Sequence, residues 1–383
     1  MFEFSKSVQR IAFSERSQRK IEIPKGAVRM DIGEPDFETP HHIQEAAFKA
    51  MQNNFTHYGS AFGEQELREA VCYGIKRDYG ISRDPENILI TTGGIEAINT
   101  ITATYLNPGD EVIIMDPDYS AYADAVSLFG GIPVPVSLTE NLRPDLEAIE
   151  GKITGRTKMI FLSNPSNPTG IVLNEDEIRG IGDIANRHEL FLIVDEVYNK
   201  LLFGGTEHFS VCQIEDIQDK AIILNSFSKT YAMTGWRVGY LVADARVVKQ
   251  LVVFHRAMVS CVNMPSQKAC VTAITESQAC VEEMRKIYDQ RKQLVESELK
   301  NIETLSAPKC QGAFYSFPRF DHSLSSKEML SYLAEKGILV RSGTEFGSNG
   351  EGHIRLAFTR SLEELKEGME RLKTALEELP PKA

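Results

Sequence analysis

A lysine flanked by hydroxyl groups and an arginine is the feature of this sequence with the clearest chemical potential. Lys229 lies near Ser226, Ser228 and Arg237 within residues 225–239, NSFSKTYAMTGWRVG. An amine that forms a Schiff base must be deprotonated part of the time, and burial beside other cations lowers the pKa of a lysine. Serine hydroxyls and a guanidinium are suitable donors for a phosphate. The segment indicates an imine-forming lysine beside a phosphate site, although a Ser-Lys turn taken alone is more often a solvated loop.

Asp195 lies at the end of an apolar run in residues 193–198, IVDEVY. Open α/β sheets gather their ligand-binding groups at the carboxyl ends of their strands. A buried carboxylate at such a position could pair with a pyridine nitrogen and keep it protonated, so that the ring accepts electrons from a developing carbanion. An aspartate that caps a helix explains the position equally well.

Residues 162–170, LSNPSNPTG, contain two Asn-Pro steps, which fix an extended and rigid path. Asn167 could present its amide to a phenolic oxygen of a cofactor, assisted by the hydroxyl of Tyr198. A stiff connection without a ligand would also explain the prolines, but it leaves the second asparagine unexplained.

Two further segments follow predicted strands and carry groups suited to a planar, phosphorylated ligand. Residues 91–97, TTGGIEA, lie between a strand and a helix, where exposed backbone N–H groups and the helix dipole favour phosphate. In residues 116–122, DPDYSAY, the ring of Tyr119 could stack on a planar cofactor. A Gly-Gly pair is weak support by itself, and core packing is the default role for the tyrosines.

The elements that position these residues are predicted from short apolar runs that alternate with amphipathic stretches. Helices are predicted at 95–106 and 175–187, the second with Asn174 as its N-cap. The runs lack strict alternation of polar and apolar residues, which is typical of a mostly parallel sheet covered by helices on both faces. The predicted strands are 87–91, 111–115, 159–162, 190–194, 221–225 and 237–241.

The pattern changes after about residue 245. Long helices are predicted at 278–299 and 362–379, with short strands at 313–317 and 353–358. This change indicates a second, smaller α+β domain.

The composition of the whole chain restricts the class of protein. The chain has 383 residues, enough for a large and a small domain, and its net charge of -12 argues against nucleic-acid and anionic-membrane surfaces. The N-terminal residues resemble neither a signal peptide nor a membrane anchor, so we expect a cytoplasmic protein. The six cysteines show no CxxC pair and no zinc-like spacing with histidine, so we expect free thiols and no metal site.

Together these segments resemble the class I and II aminotransferases, which are pyridoxal-phosphate enzymes of fold type I. The resemblance covers nearly the whole chain, from DIGEPDFETP at 31–40 and YGSAFGEQELR at 58–68 to QGAFYSFP at 311–318 and GHIRLAF at 352–358. It implies a large domain with a mostly parallel mixed sheet flanked by helices, and a smaller α+β domain. We expect an N-terminal arm at 1–35, a large cofactor-binding domain at 36–270 and a small domain at 271–383.

The resemblance also implies roles for the residues above. Lys229 would hold pyridoxal 5′-phosphate covalently and, once displaced by substrate, move the proton between the substrate α-carbon and the cofactor. Asp195 would pair with the pyridinium nitrogen. The residues implied to bond the ring oxygen, stack on the ring or hold the phosphate are Asn167, Tyr198, Tyr119, Gly94, Ile95, Ser226 and Arg237.

Further implied roles concern a second subunit and the substrate. Tyr58 resembles the tyrosine that reaches the phosphate from the neighbouring subunit, which implies a homodimer and places Tyr58 beside Lys229 and Asp195 in the catalytic machinery. Arg355 matches the arginine that binds the α-carboxylate of the substrate, which Gly33 and Asn167 would also approach. The N-terminal stretch would then be a mobile segment over the site.

The expected reaction is amino transfer from an L-amino acid to a 2-oxo acid, with 2-oxoglutarate as the expected acceptor and a ping-pong order. A β-lyase, a γ-lyase, a decarboxylase or a cyclising enzyme would need the same lysine and aspartate. A regulatory module without turnover would need a basic DNA-binding extension, which the acidic composition disfavours. A dicarboxylate substrate would need a second cation for its distal carboxylate. An aromatic or aliphatic substrate would need an apolar pocket. The sequence does not distinguish these two classes of substrate.

Overall fold

The computed structural model describes residues 3–12, 14–15 and 23–380. Within them the strands, numbered in chain order from β1 to β14, are Val28–Arg29, Ile88–Thr91, Glu111–Asp116, Ile132–Ser137, Thr157–Ser163, Phe191–Asp195, Ala221–Ser226, Gly239–Val242, Leu305–Ser306, Tyr315–Ser316, Arg319–Phe320, Ile338–Leu339, Arg341–Ser342 and Ile354–Ala357. The α-helices, numbered from α1 to α13, are Lys6–Gln9, His41–Gln52, Gln65–Tyr79, Gly93–Tyr105, Ala121–Leu128, Leu146–Gly151, Glu175–Arg187, Phe227–Thr230, Ala245–Val259, Met264–Thr275, Ala279–Leu299, Ser326–Glu335 and Leu362–Glu377.

Seven strands form the central sheet, in the order β2-β8-β7-β6-β5-β3-β4. The pairs from β7 across to β4 are parallel, whereas β8 is antiparallel to both of its neighbours, β2 and β7. Each of the six strands predicted for this sheet is present, with ends shifted by at most two residues. The predicted α/β class with a mostly parallel sheet is therefore confirmed.

Strand β4 is the member of the sheet that the sequence did not predict. It contains Pro133 and Pro135, and proline cannot donate a hydrogen bond to a neighbouring strand. The structure accommodates both residues because β4 is an edge strand that pairs only with β3. An apolar run with two prolines is therefore compatible with a strand when one side of it faces no partner.

The long helices follow the predictions closely. Helix α7 has the predicted bounds, and the Asn174 side chain accepts a hydrogen bond from the Glu177 backbone while the Glu177 side chain bonds back to Asn174. This reciprocal capping box is a local signal that can be read from sequence. Helices α4, α11 and α13 begin and end within two residues of their predicted ends.

Buried hydrophobic residues form a cluster on each face of the central sheet and a third cluster elsewhere. On β3, Ile113 belongs to one face and Val112 to the other, because successive side chains of a strand point to opposite sides. The third cluster joins β1 to helices α11, α12 and α13 through residues such as Val28 and Tyr288. The domain ranges 1–35, 36–270 and 271–383 remain a prediction.

Among the described helices, none is long and apolar enough to cross a membrane. The six cysteines are free thiols, and three of them are buried. In the described part of the chain, no group of three or more His, Cys, Asp or Glu side chains is arranged to hold a metal ion.

Candidate active site

A cavity of about 470 Å³ lies where the carboxyl ends of the parallel strands meet the segment 31–36 and strand β14. Parallel strands place the side chains that follow them at one edge of the sheet, which is why residues distant in sequence converge here. The cavity is lined by all but one of the predicted site residues: Gly33, Gly94, Ile95, Tyr119, Asn167, Asp195, Tyr198, Ser226, Lys229, Arg237 and Arg355.

Lys229 projects into the cavity from α8, the short helix that directly follows β7. Its Nζ donates a hydrogen bond to the backbone oxygen of Gly33 at 2.7 Å. Burial and the positive charges of Arg355 and Arg237 lower the pKa of this amine to about 8, against the opposing attraction of Glu34 and Asp195. The lysine is therefore neutral for part of the time near neutral pH, as the sequence predicted.

Asp195 is the last residue of β6 and is buried. The hydroxyl of Tyr122 donates to Oδ2 at 2.8 Å, and the Val197 backbone N–H donates to Oδ1 at 3.2 Å. Burial raises the pKa of this carboxyl to about 6, although both hydrogen bonds and the charge of Lys229 act in the opposite direction. A turn follows Asp195 rather than a helix, so the helix-cap interpretation is wrong.

Asp118, which the sequence analysis did not select, is a second buried carboxyl group beside this site. Ser163 donates to it through both its hydroxyl and its backbone N–H, and the Tyr119 backbone N–H donates to Oδ1 at 2.7 Å. The Ser163 hydroxyl in turn accepts a hydrogen bond from the Asn167 backbone N–H at 3.3 Å. Asp118 therefore connects the turn that carries Tyr119 with the loop that carries Asn167.

Arg355 on β14 is buried and faces Asn167. Its Nη1 donates to Asn167 Oδ1 at 3.0 Å and its Nη2 to the backbone oxygen of Asp31 at 2.7 Å. The guanidinium lies over the ring of Tyr315, 4.4 Å from the ring centroid, an arrangement that favours a cation. Its Nε is buried without a hydrogen-bond partner among the described residues, so the group has capacity for a ligand.

Tyr198 contacts Tyr315, a residue that the sequence analysis did not select. Its hydroxyl lies 2.7 Å from the hydroxyl of Tyr315, and both tyrosines line the cavity. The same Tyr315 hydroxyl would lie 1.9 Å from a Cβ atom added to Gly33. Residue 33 must therefore be glycine for the segment 31–36 to approach the site this closely.

The predicted phosphate end of the cavity consists of the start of α4 and three side chains from the lysine segment, Ser226, Ser228 and Arg237. Backbone N–H groups in the first turn of a helix have no intrahelical partner and favour anions. Arg237 lies against this turn, since a Cβ added to Gly93 would be 2.7 Å from its Nη2. The hydroxyls of Ser226 and Ser228 lie 2.8 Å apart beside it. Positive potential is therefore concentrated where the sequence predicted a phosphate.

Tyr119 is half-buried in the cavity wall, and its ring packs edge-to-face against Tyr122 with a centroid distance of 5.6 Å. Tyr122, which the sequence analysis assigned to core packing by default, is fully buried but has a second role as a donor to Asp195. The direction of a hydroxyl group and the burial of a ring depend on the tertiary structure. No local sequence signal therefore indicates which of these two tyrosines lies in the cavity wall and which donates to Asp195.

Tyr58 is the predicted site residue that does not line the cavity. Its side chain is 90% exposed. Within one chain it therefore takes no part in the site, and its predicted role requires a second subunit.

Three buried carboxyl groups at this edge of the sheet predict how stability depends on pH. Burial raises the pKa of Asp195 to about 6, of Asp118 to about 7 and of Glu196 to about 8. Ordinary carboxyl pKa values are about 4, so between roughly pH 4 and pH 8 these three groups bind more protons in the folded chain than in the unfolded chain. Their contribution to the free energy of unfolding therefore falls as the pH rises through this window.

We expect the melting temperature of the cofactor-free protein to fall between pH 5 and pH 8, and to fall less steeply in Glu196→Gln. The amide can keep a hydrogen bond with Ser210, but it has no charge to bury. Calorimetry across the pH series tests this, with the exposed Glu147→Gln as the matched control. Parallel curves for wild type and Glu196→Gln would contradict the assignment.

Comparison with known proteins identifies the family. The sequence model described as aminotransferase class I and II matches residues 25–372. The aromatic-amino-acid aminotransferase 2 of Thermococcus litoralis is 38% identical and the aspartate aminotransferase of Pyrococcus abyssi 37% identical, each over 92% of both chains. A crystal structure of an aromatic aminotransferase from Pyrococcus horikoshii OT3 superposes with a TM-score of 0.89 at 37% identity, covering 92% of this chain and 96% of that one. The chain therefore belongs to the class I and II aminotransferases, enzymes that transfer amino groups.

Proposed function

We propose that the cavity binds pyridoxal 5′-phosphate through Lys229 and that the enzyme moves an amino group from an L-amino acid to a 2-oxo acid. The supporting observation is the convergence in one cavity of a lysine with a lowered pKa, the buried carboxyl of Asp195 and the buried guanidinium of Arg355. Membership in the aminotransferase family supports amino transfer over the lyase, decarboxylase and cyclising alternatives.

The residues fit the cofactor at each of its charged groups. A pyridinium nitrogen would stabilise the ionised form of Asp195, whose burial otherwise raises its pKa. The start of α4 and the guanidinium of Arg237 supply positive potential for a phosphate. Tyr119 offers an aromatic ring at the cavity wall, and Asn167 and Tyr198 offer polar groups for the ring oxygen.

Lys229 would carry out the proton transfers of the reaction. With a pKa of about 8, on the order of a tenth of the amine is neutral at pH 7 and able to accept a proton at Nζ. The Gly33 oxygen holds this Nζ at the cavity wall. When bound, the cofactor supplies an electrophilic carbon and an electron-accepting ring.

Arg355 would bind the α-carboxylate of each substrate and so orient the α-carbon toward Lys229. A guanidinium suits this role because its planar N–H groups bond a carboxylate in two places. Since both substrates carry that carboxylate and would use the same arginine in turn, we propose a ping-pong order with 2-oxoglutarate as the acceptor.

A panel of amino acids added singly to the purified holoenzyme tests the proposed function. A true amino donor converts the cofactor to its amine form without any acceptor, which a change in absorbance reports, and a 2-oxo acid then reverses the change. A protein that binds no cofactor, or one that releases ammonia or carbon dioxide instead of storing the amino group, contradicts the proposal.

We further propose a homodimer in which Tyr58 reaches the phosphate of the partner subunit. Its 90% exposure supports this, as does the exposure of Phe48 and Met51 on α2, because large apolar side chains on a surface often mark an interface. The buried and half-buried thiols support the cytoplasmic location expected from the sequence.

We expect Tyr58→Phe to weaken cofactor binding by about tenfold, since one hydrogen bond to a charged phosphate is lost. Titration of the cofactor-free protein with pyridoxal phosphate measures the dissociation constant, and sedimentation gives the subunit number. The exposed Tyr73→Phe serves as the control. A monomer, or equal affinities in both variants, would refute the role in the partner's site.

A further inference from the structure

The cavity is lined by a second, half-buried guanidinium next to Arg355. Arg341 lies on β13, which pairs antiparallel with β14, and its Cα partner there is Arg355. Directly opposed residues of an antiparallel pair place their side chains on the same face. The pairing of β13 with β14 therefore brings the side chains of Arg341 and Arg355 next to each other.

The two guanidinium groups share one acceptor. Arg355 Nη2 lies 2.7 Å and Arg341 Nε lies 3.1 Å from the backbone oxygen of Asp31. Because both nitrogens are within hydrogen-bond distance of the same atom, the two cationic heads are close to each other. Like charges repel at such a distance, so the arrangement requires negative groups nearby.

Glu345 supplies one such group. Its Oε2 accepts a hydrogen bond from Arg341 Nη1 at 3.1 Å, and both side chains are largely buried, at 13% and 14% exposure. Contacts at Nε and Nη1 fix the orientation of the arginine. Among the described residues no partner bonds its third nitrogen, Nη2, which leaves N–H groups for a ligand in the cavity.

We infer that Arg341 determines substrate specificity by binding the distal carboxylate of a dicarboxylic amino acid or oxo acid. The inference rests on the proposed function, in which Arg355 holds the α-carboxylate. A four- or five-carbon dicarboxylate has its second carboxylate only a few bonds from the first, which matches two guanidinium groups that share an acceptor. Arg341 is thus the second cation that a dicarboxylate substrate requires.

Binding of the distal carboxylate does not require Glu345 to leave. A guanidinium has five N–H groups, so Arg341 can keep its contacts to Glu345 and Asp31 while Nη2 binds the ligand. Glu345 is accordingly a positioning residue that holds Arg341 toward the cavity. Aromatic or aliphatic substrates would gain nothing from this cation and would cover its Nη2 without offering that nitrogen an acceptor.

The test compares Arg341→Met with wild-type holoenzyme on aspartate and on phenylalanine. We expect kcat/KM for aspartate to fall on the order of 30-fold or more, mainly through KM, because a charged contact to the substrate is lost. We expect kcat/KM for phenylalanine to change less than about threefold. Arg29→Met is the matched control, since Arg29 bonds the Asp31 side chain and does not line the cavity.

A binding measurement covers the case in which the variant folds poorly. Succinate and butyrate have the same number of carbons, but only succinate has two carboxylates. We expect succinate to perturb the cofactor absorbance of the wild-type holoenzyme at a concentration at least about tenfold lower than butyrate, and Arg341→Met to remove the difference.

The outcomes separate this inference from the proposed function. Equal losses on aspartate and phenylalanine, or no loss on either, overturn the assignment of Arg341. A wild-type enzyme that binds succinate no better than butyrate overturns it as well, while leaving amino transfer intact. A wild-type protein that binds no cofactor and converts no amino acid overturns the proposed function itself.

Discussion

Lys229→Ala loses turnover by at least about 1000-fold, because the same amine holds the cofactor and accepts the substrate proton. No other lysine lines the cavity among the described residues, so no neighbouring amine is positioned to replace it. Reduction of the holoenzyme with borohydride followed by mass spectrometry should find the cofactor attached to the wild type and absent from the variant.

The exposed Lys249→Ala is the control for this experiment. It removes a lysine of the same length and charge from the surface of α9 and should retain both attachment and turnover. A Lys229→Ala protein that still carries a covalently bound cofactor would assign the link to another amine and overturn the central proposal.

Arg355→Ala lowers kcat/KM for every amino donor, by on the order of 100-fold or more. The substitution removes the proposed α-carboxylate contact and leaves Asn167 Oδ1 without its charged donor, while the Asp31 oxygen keeps only the hydrogen bond from Arg341. The loss should therefore extend to donors of every side-chain class, in contrast to the selective loss expected for Arg341→Met. Steady-state kinetics with aspartate and phenylalanine measure both.

The exposed Arg319→Ala controls for the loss of an arginine from the same half of the chain. The milder Arg355→Lys keeps the charge but loses the planar fork, so it should recover only part of the lost activity. Unaltered kcat/KM in Arg355→Ala would remove this arginine from the substrate site.

Local signals account for the parts of the fold that the sequence predicted. The capping box at Asn174 and Glu177 lies within one turn, and the β-branched runs of the central strands are continuous in sequence. The two prolines of β4 are a local signal against a strand, and they are tolerated only because this strand lies at the edge of the sheet. Edge position is a property of the assembled sheet.

In the site, too, local sequence signals identify some residues, whereas others depend on the assembled fold. Lys229 could be selected because it follows an apolar strand, and Asp195 because it ends one, each within a distinctive segment. The roles of Asp118, Tyr122 and Arg341 depend on partners more than 40, 70 and 300 residues away, namely Ser163, Asp195 and Asp31. No spacing rule connects such positions, so the sequence contained these residues without indicating which of them face the cavity.

The segment 31–36 contacts the site mainly through its main chain. The oxygen of Asp31 accepts from both arginines and the oxygen of Gly33 accepts from Lys229. Point mutations leave main-chain oxygens in place, so most side-chain replacements in this segment should preserve these contacts; Gly33 is an exception because Tyr315 leaves no room for a Cβ. Insertion or deletion of a single residue, by contrast, would shift all three contacts together. Changes in the length of this segment should therefore be far more damaging than changes in its composition.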